Sequence, residues 1–106
     1  MSEIVDGLFE YAIEWVERHR VSCGARGVEL GVERSSGGRD NPSLWIDFAA
    51  DGRLVRLTLW ASGEAVLAGA EVSSGSVWPE VQLELVGTGV LEVALRRAVT
   101  SVLGIR

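Results

Sequence analysis

The chain has 106 residues, 47% hydrophobic and 24% charged, and its 11.4 kDa supports one modest core burying roughly 65% of the unfolded surface, so residues 1–106 are expected to form a single domain. One Cys and one His exclude a disulfide framework and a structural zinc site, no apolar run approaches the ~20 residues that span a bilayer, and the acidic start MSEIVDGLFE is unlike a signal peptide, so a cytoplasmic location is expected. The formal net charge is −5, and ten Arg without a single Lys form no basic cluster, which disfavours nucleic acid and an anionic membrane as partners.

Residues 3 to 20 predict an amphipathic helix. Ile4, Val5, Leu8, Phe9, Ala12 and Val16 recur at helical spacing. Ser2 is placed to cap it, Arg18, His19 and Arg20 would complement the dipole in its last turn, and Gly24 would stop it. Glu3, Asp6, Glu10, Glu14 and Glu17 are the only charges before residue 18. At 100° per residue they form one narrow stripe opposite the apolar face. The excess charge of the chain therefore sits on this segment, since residues 18–106 hold ten acids and ten Arg. Such a stripe is an ordinary solvated face or a docking site for a basic partner. Glu10, Glu14 and Glu17 are the candidate contact residues, because successive like charges at i,i+3 and i,i+4 repel and a basic surface would relieve them.

Val28, Leu30 and Val32 alternate with Glu29, Gly31 and Glu33, as in a half-buried strand. Ser35 to Pro42 reads as a loop. Leu44, Ile46 and Phe48 then alternate with Trp45, Asp47 and Ala49, up to Asp51-Gly52, a type I′ hairpin signal. A two-residue loop there pairs Phe48 with Val55, Ile46 with Leu57 and Leu44 with Leu59 on one face. On the other face it pairs Asp47 with Arg56 and Trp45 with Thr58, both favourable cross-strand partners. Ser62-Gly63, taken as a second two-residue loop, pairs Leu59 with Val66 and Leu57 with Ala68, and carries the apolar face on through Ala70 and Val72. Ser73 to Ser76 is a loop, and residues 80 to 86 predict a fifth strand that Pro79 introduces.

Residues 89 to 103 return to helical period, with Val90, Leu91, Ala94, Leu95, Ala98, Val102 and Leu103 on one face, Thr88 as N-cap and Gly104 as C′. The expected fold is α+β: a two-layer domain in which an antiparallel meander of about five strands carries the N- and C-terminal helices on one face. The other sheet face then holds Trp45, Leu54, Arg56, Trp60 and Leu67, residues that interfaces favour. Trp45, Arg56, Trp60 and Leu67 are the second set of candidate contact residues.

Catalytic signals are sparse. His19 and Cys23 could form a dyad only in a deep pocket with an orienting third group, and neither is evident. Gly37-Gly38 lacks the following Lys of a phosphate loop. No enzyme activity, metal or cofactor is expected.

The segment Leu57-Thr58-Leu59-Trp60-Ala61-Ser62-Gly63-Glu64-Ala65 resembles the TriTu family of bacterial immunity proteins. The likeness is a strand ending in Trp, a short x-Ser-Gly-Glu turn, a second apolar strand and a closing amphipathic helix, over about residues 43 to 103. The resemblance implies a non-enzymatic immunity protein whose partner is a cognate polymorphic toxin, an ADP-ribosyltransferase that modifies elongation factor Tu. The rival expectation is an acidic secretion chaperone or adaptor for an effector protein, and a monomer or weak dimer is expected in either case.

Overall fold

A computed structural model describes residues 2–35 and 41–104, with side chains from residue 7 onward. The side chains of Ser2, Glu3, Ile4, Val5 and Asp6, and residues 36–40 of the predicted loop, lie outside the described residues. The element order is α1 (Ser2–Ala25), β1 (Glu29–Arg34), β2 (Ser43–Ala50), β3 (Arg53–Trp60), β4 (Glu64–Glu71), β5 (Ser76–Val77), β6 (Val81–Glu84) and α2 (Thr88–Val102). The sheet is an antiparallel meander in the order β1-β2-β3-β4, with β5 and β6 both pairing along the far side of β4. Both helices cover one face, α1 over β1 and α2 over β2 to β4, as the α+β expectation has it.

α1 is longer than its apolar spacing suggests. Gly24 does not stop it. The helix ends in a Schellman motif, with Val28 N–H donating to the Cys23 carbonyl at 2.8 Å, Gly27 N–H to Gly24 at 3.0 Å, and Gly27 at φ 84°. Cys23 and Val28, both buried, make the apolar contact that accompanies this motif. Arg18, His19 and Arg20 therefore lie before the last turn, and their roles are not dipole complements. α2 begins one residue earlier than expected, so Thr88 is its first residue and Gly87 its cap, while Gly104 takes the predicted C′ place at φ 78°. Arg53, from the start of β3, supplies the cation at this C-terminus by donating to the Val102 carbonyl at 3.5 Å.

The β2–β3 hairpin has the expected register throughout, from Ala50↔Arg53 to Leu44↔Leu59. Asp51 and Gly52 both have positive φ, 51° and 79°, as a type I′ turn requires. The next hairpin differs from expectation by one residue. Leu59 pairs with Ala65 and Leu57 with Leu67, because the loop has three residues, Ala61-Ser62-Gly63. Gly63 N–H donates to the Trp60 carbonyl at 2.9 Å and Gly63 sits at φ 98°, a turn closed by a left-handed residue that only glycine adopts freely. A one-residue slip exchanges the faces of a strand. Ala65, Leu67 and Gly69 therefore face the core, and Val66, Ala68 and Ala70 face outward.

Beyond β4 the chain doubles back as two short strands rather than one. Trp78 N–H still donates to Gly69 at 2.9 Å, and Val81 already pairs with Leu67. Between them β4 contributes Ala68 alone, while the opposing chain contributes Pro79 and Glu80. This is a β-bulge, placed where Pro79 has no N–H to give the ladder.

The core lies between the helices and the inner sheet face. Its largest fully buried side chains include Trp15, Leu8, Phe48, Ile46, Leu57, Leu91 and Leu95. Burying a side chain of this size stabilises the fold by about 1.5–3 kcal/mol.

Candidate functional site

The outward face of the sheet is assembled from alternate residues of each strand. Trp45, Asp47 and Ala49 come from β2, and Leu54, Arg56, Thr58 and Trp60 from β3. Val66, Ala68 and Ala70 come from β4, and Gln82 from β6. Among the described residues no helix covers this face. Leu54 is 40% exposed, and Trp45 and Trp60 are half-buried by their neighbours within the sheet surface.

Its centre is an ordered polar cluster. Arg56 Nε donates to Asp47 Oδ1 at 2.7 Å and Arg56 Nη2 to Oδ2 at 3.0 Å, the forked geometry that fixes a guanidinium in plane. The same guanidinium lies over the Trp45 ring at 5.4 Å. The hydrogen bonds to Asp47 hold the Arg56 guanidinium above its ordinary pKa, so it stays charged. Trp45, Arg56 and Trp60 thus share one face as expected.

Leu67 does not join them. Its expected outward position is corrected by the three-residue loop, which turns it inward opposite Leu57, where it is 6% exposed and part of the core. The outward residues of β4 beside Trp60 are instead Val66 and, at the start of the strand, Glu64, which with Gln82 and Glu84 line a depression of about 450 Å³ next to Trp60. Neither Glu64 nor Glu84 was singled out by sequence reasoning. The available signal was the Ser-Gly-Glu of the turn, which places a carboxylate one residue past a sharp reversal.

Glu10, Glu14 and Glu17 are all exposed, and only Glu17 has an ion-pair partner among the described residues, Arg20 at 3.4 Å. Arg20 also donates to the Leu30 carbonyl at 2.7 Å and so occupies part of the open edge of β1. Around the α1 axis the stripe lies opposite Leu8, Ala12, Trp15 and Val16, which face the sheet. The carboxylates and the Trp45–Trp60 face therefore stand on opposite sides of the two layers, and the structure does not bring these two sets of candidates together.

A second cleft, of about 350 Å³, opens between the helices and is lined by Trp15, His19, Cys23, Arg26, Arg96 and Thr100, among others. It does contain both His19 and Cys23. His19 stacks on Trp15 with ring centroids 4.1 Å apart. Its Nδ1 lies 2.9 Å from the Trp15 carbonyl, which can only accept, so Nδ1 carries a proton and is committed to its own helix. Cys23 is 4% exposed, and burial pushes its thiol pKa up, the opposite of what activates a nucleophile. Among the described residues no group of three or more His, Cys, Asp or Glu side chains is placed to hold a metal ion.

Between the helices Glu92 collects three donors. Tyr11 Oη–H and Trp15 Nε1–H, the latter at 3.3 Å, come from α1, and Arg96 Nε–H, at 2.8 Å, comes from one turn further along α2. These bonds favour the ionised carboxylate and hold the Glu92 pKa below its ordinary value. They tie α1 to α2.

The arrangement is thus a helix-backed sheet whose open face carries two tryptophans around a fixed Arg–Asp pair. A family model described as Immunity protein TriTu matches residues 9–99. The chain belongs to the TriTu family of immunity proteins. No curated protein matches it. The match begins within α1 and runs into α2, so TriTu membership takes in the N-terminal helix as well as the strand–turn–strand segment and closing helix that carry the sequence resemblance. Among the described residues no helix is long and apolar enough to cross a membrane.

Proposed function

We propose that this immunity protein neutralises its cognate toxin by binding it one-to-one through the outer sheet face, and that the toxin is an ADP-ribosyltransferase acting on elongation factor Tu. The observation that carries the reading is the placement of both helices on one side of the sheet. That placement leaves Trp45, Arg56 and Trp60 together on the other side with nothing packed over them among the described residues. Aromatic and Arg side chains are the usual anchors of protein interfaces, and here the Asp47 fork holds Arg56 in position before a partner arrives. Preorganisation of this kind lowers the entropy lost on association. A binder needs no chemistry of its own, because covering the nucleotide site or the path of the target protein stops the transferase.

The test is reconstitution. The cognate toxin domain is mixed with elongation factor Tu and labelled NAD⁺, with and without the immunity protein. Transfer of label to elongation factor Tu, abolished at one equivalent of immunity protein, supports the whole reading. Abolition of transfer to some other acceptor retains neutralisation and overturns the target. Undiminished transfer in the presence of excess immunity protein overturns neutralisation itself.

A further inference from the structure

We propose that the surface docking on the outer sheet face is basic, and that it seats an arginine or lysine side chain on Trp60 between Glu64 and Glu84. This rests on the reading that the outer face is where the toxin binds.

The charges of that face are lopsided. Its outward positions carry Glu29, Glu33, Asp47, Glu64 and Glu84, and one base, Arg56. Arg56 is committed at the centre of the face. It is forked onto Asp47, and Glu33 also contributes to keeping it charged. Toward the edge of the face Glu64 and Glu84 stand directly opposite each other across β4 and β6. Like charges at such a position repel and destabilise the sheet. Both are exposed, and among the described residues no base forms an ion pair with either.

The two clusters of the face otherwise match. At the first, a carboxylate and a tryptophan hold a guanidinium between them: Asp47, Arg56 and the Trp45 ring, with Arg56 at 5.4 Å from its centroid. At the second, Glu64, Glu84 and Trp60 surround the 450 Å³ depression, and among the described residues no cation lies over the Trp60 ring. The second cluster therefore repeats the acid and aromatic parts of the first without its cation. A partner's cationic side chain would complete it, removing the Glu64–Glu84 repulsion and using the tryptophan face, the best of the aromatic faces for a cation. Specificity follows as well, since an acidic surface would meet two unneutralised carboxylates.

Binding of the catalytically inactivated toxin domain is measured for the wild type, the double variant Glu64→Gln/Glu84→Gln and Trp60→Ala, at about 0.05 M and about 0.5 M NaCl. Gln keeps the shape and removes the charge. The double variant is expected to bind about tenfold more weakly at low salt, with the difference largely gone at high salt, while its own melting temperature rises. Unchanged affinity and salt dependence in the double variant, with Trp60→Ala still about 30-fold weaker, overturns the cationic contact and leaves the docking face standing. Unchanged affinity in both variants overturns the docking face too. A fall in the melting temperature of the double variant shows that the carboxylates already have partners within the chain, and overturns the proposal without the toxin.

Discussion

The ring of Trp78 occupies the space that a side chain on Gly69 would need. A Cβ built on Gly69 would lie 2.7 Å from Trp78 Cζ3 and 3.2 Å from Val55 Cγ2. Glycine here is a packing requirement. It lets the bulged segment after β5 fold its tryptophan against the end of the core. Gly69→Ala is expected to cost about 1–3 kcal/mol, the usual penalty of overpacking a filled site. Gly31→Ala, on the outer face of β1 with nothing within 4 Å of the added carbon, is the control and should leave stability within about 0.5 kcal/mol. Urea denaturation of the two variants checks the contrast.

The Glu92 cluster makes a pH-dependent prediction in two directions. The Glu92 pKa is lowered from 4.5, so its contribution to stability is complete above that value and is lost as pH falls below 4.5 through the folded-state value. The Tyr11 pKa is raised from 10.0 by the same bond, so that contribution is complete below pH 10.0 and is lost as pH rises beyond it. Tyr11 is the only tyrosine in the chain, so its ionisation can be followed by ultraviolet absorbance without interference. Glu92→Gln is expected to cost about 1–2 kcal/mol at neutral pH, to flatten the acid limb of the stability curve and to return the tyrosine titration toward 10.0. An unchanged tyrosine titration in this variant would show that the Tyr11–Glu92 bond does not form in solution.

Leu67 and Trp60 separate the core from the outer face. Leu67→Ala removes a buried side chain and should cost about 2–5 kcal/mol of stability with little change in affinity per folded molecule. Trp60→Ala removes a half-exposed ring and should leave the melting temperature nearly unmoved while weakening toxin binding. Thermal melts paired with binding titrations read both. Weakened binding with little loss of stability in Leu67→Ala would mean that the β3–β4 register is the one a two-residue loop gives, since Trp60 keeps its face in either register.

That register also shows where the sequence stops being legible. The β2–β3 hairpin could be read in full because Asp51-Gly52 admits one turn and a slip there would bury Asp47 and Arg56. β4 offers no such penalty. Its two faces, Ala65-Leu67-Gly69 and Val66-Ala68-Ala70, are both small and apolar, so hydrophobic pattern cannot choose between them. Only the length of the loop decides, and Ala61 belongs to the loop for conformational reasons that its side chain does not announce. The same limit hid Glu92, whose role arises from Tyr11 and Trp15 on a helix more than seventy residues away. α1 outran its predicted end because the decisive glycine is Gly27, where Val28 can pack on Cys23, rather than Gly24. Trp45, Arg56 and Trp60 were legible as a site because one secure hairpin fixes all three.

The acidic stripe and the outer sheet face cannot both lie in one flat interface, and this gives the last prediction. Reversing Glu10, Glu14 and Glu17 to Lys changes the formal net charge from −5 to +1, since each substitution shifts it by two. If the toxin sits on the outer face, the reversed stripe acts only through the long-range field. The association rate should then fall several-fold at low salt and recover at high salt, and the dissociation rate should not change. The fold should survive, because the three side chains are exposed and only the Glu17–Arg20 pair is lost, a surface contact worth at most about 1 kcal/mol. Stopped-flow mixing with the inactivated toxin domain separates the two rates. A faster dissociation in the triple variant would place the stripe inside the contact and move the interface from the sheet to α1.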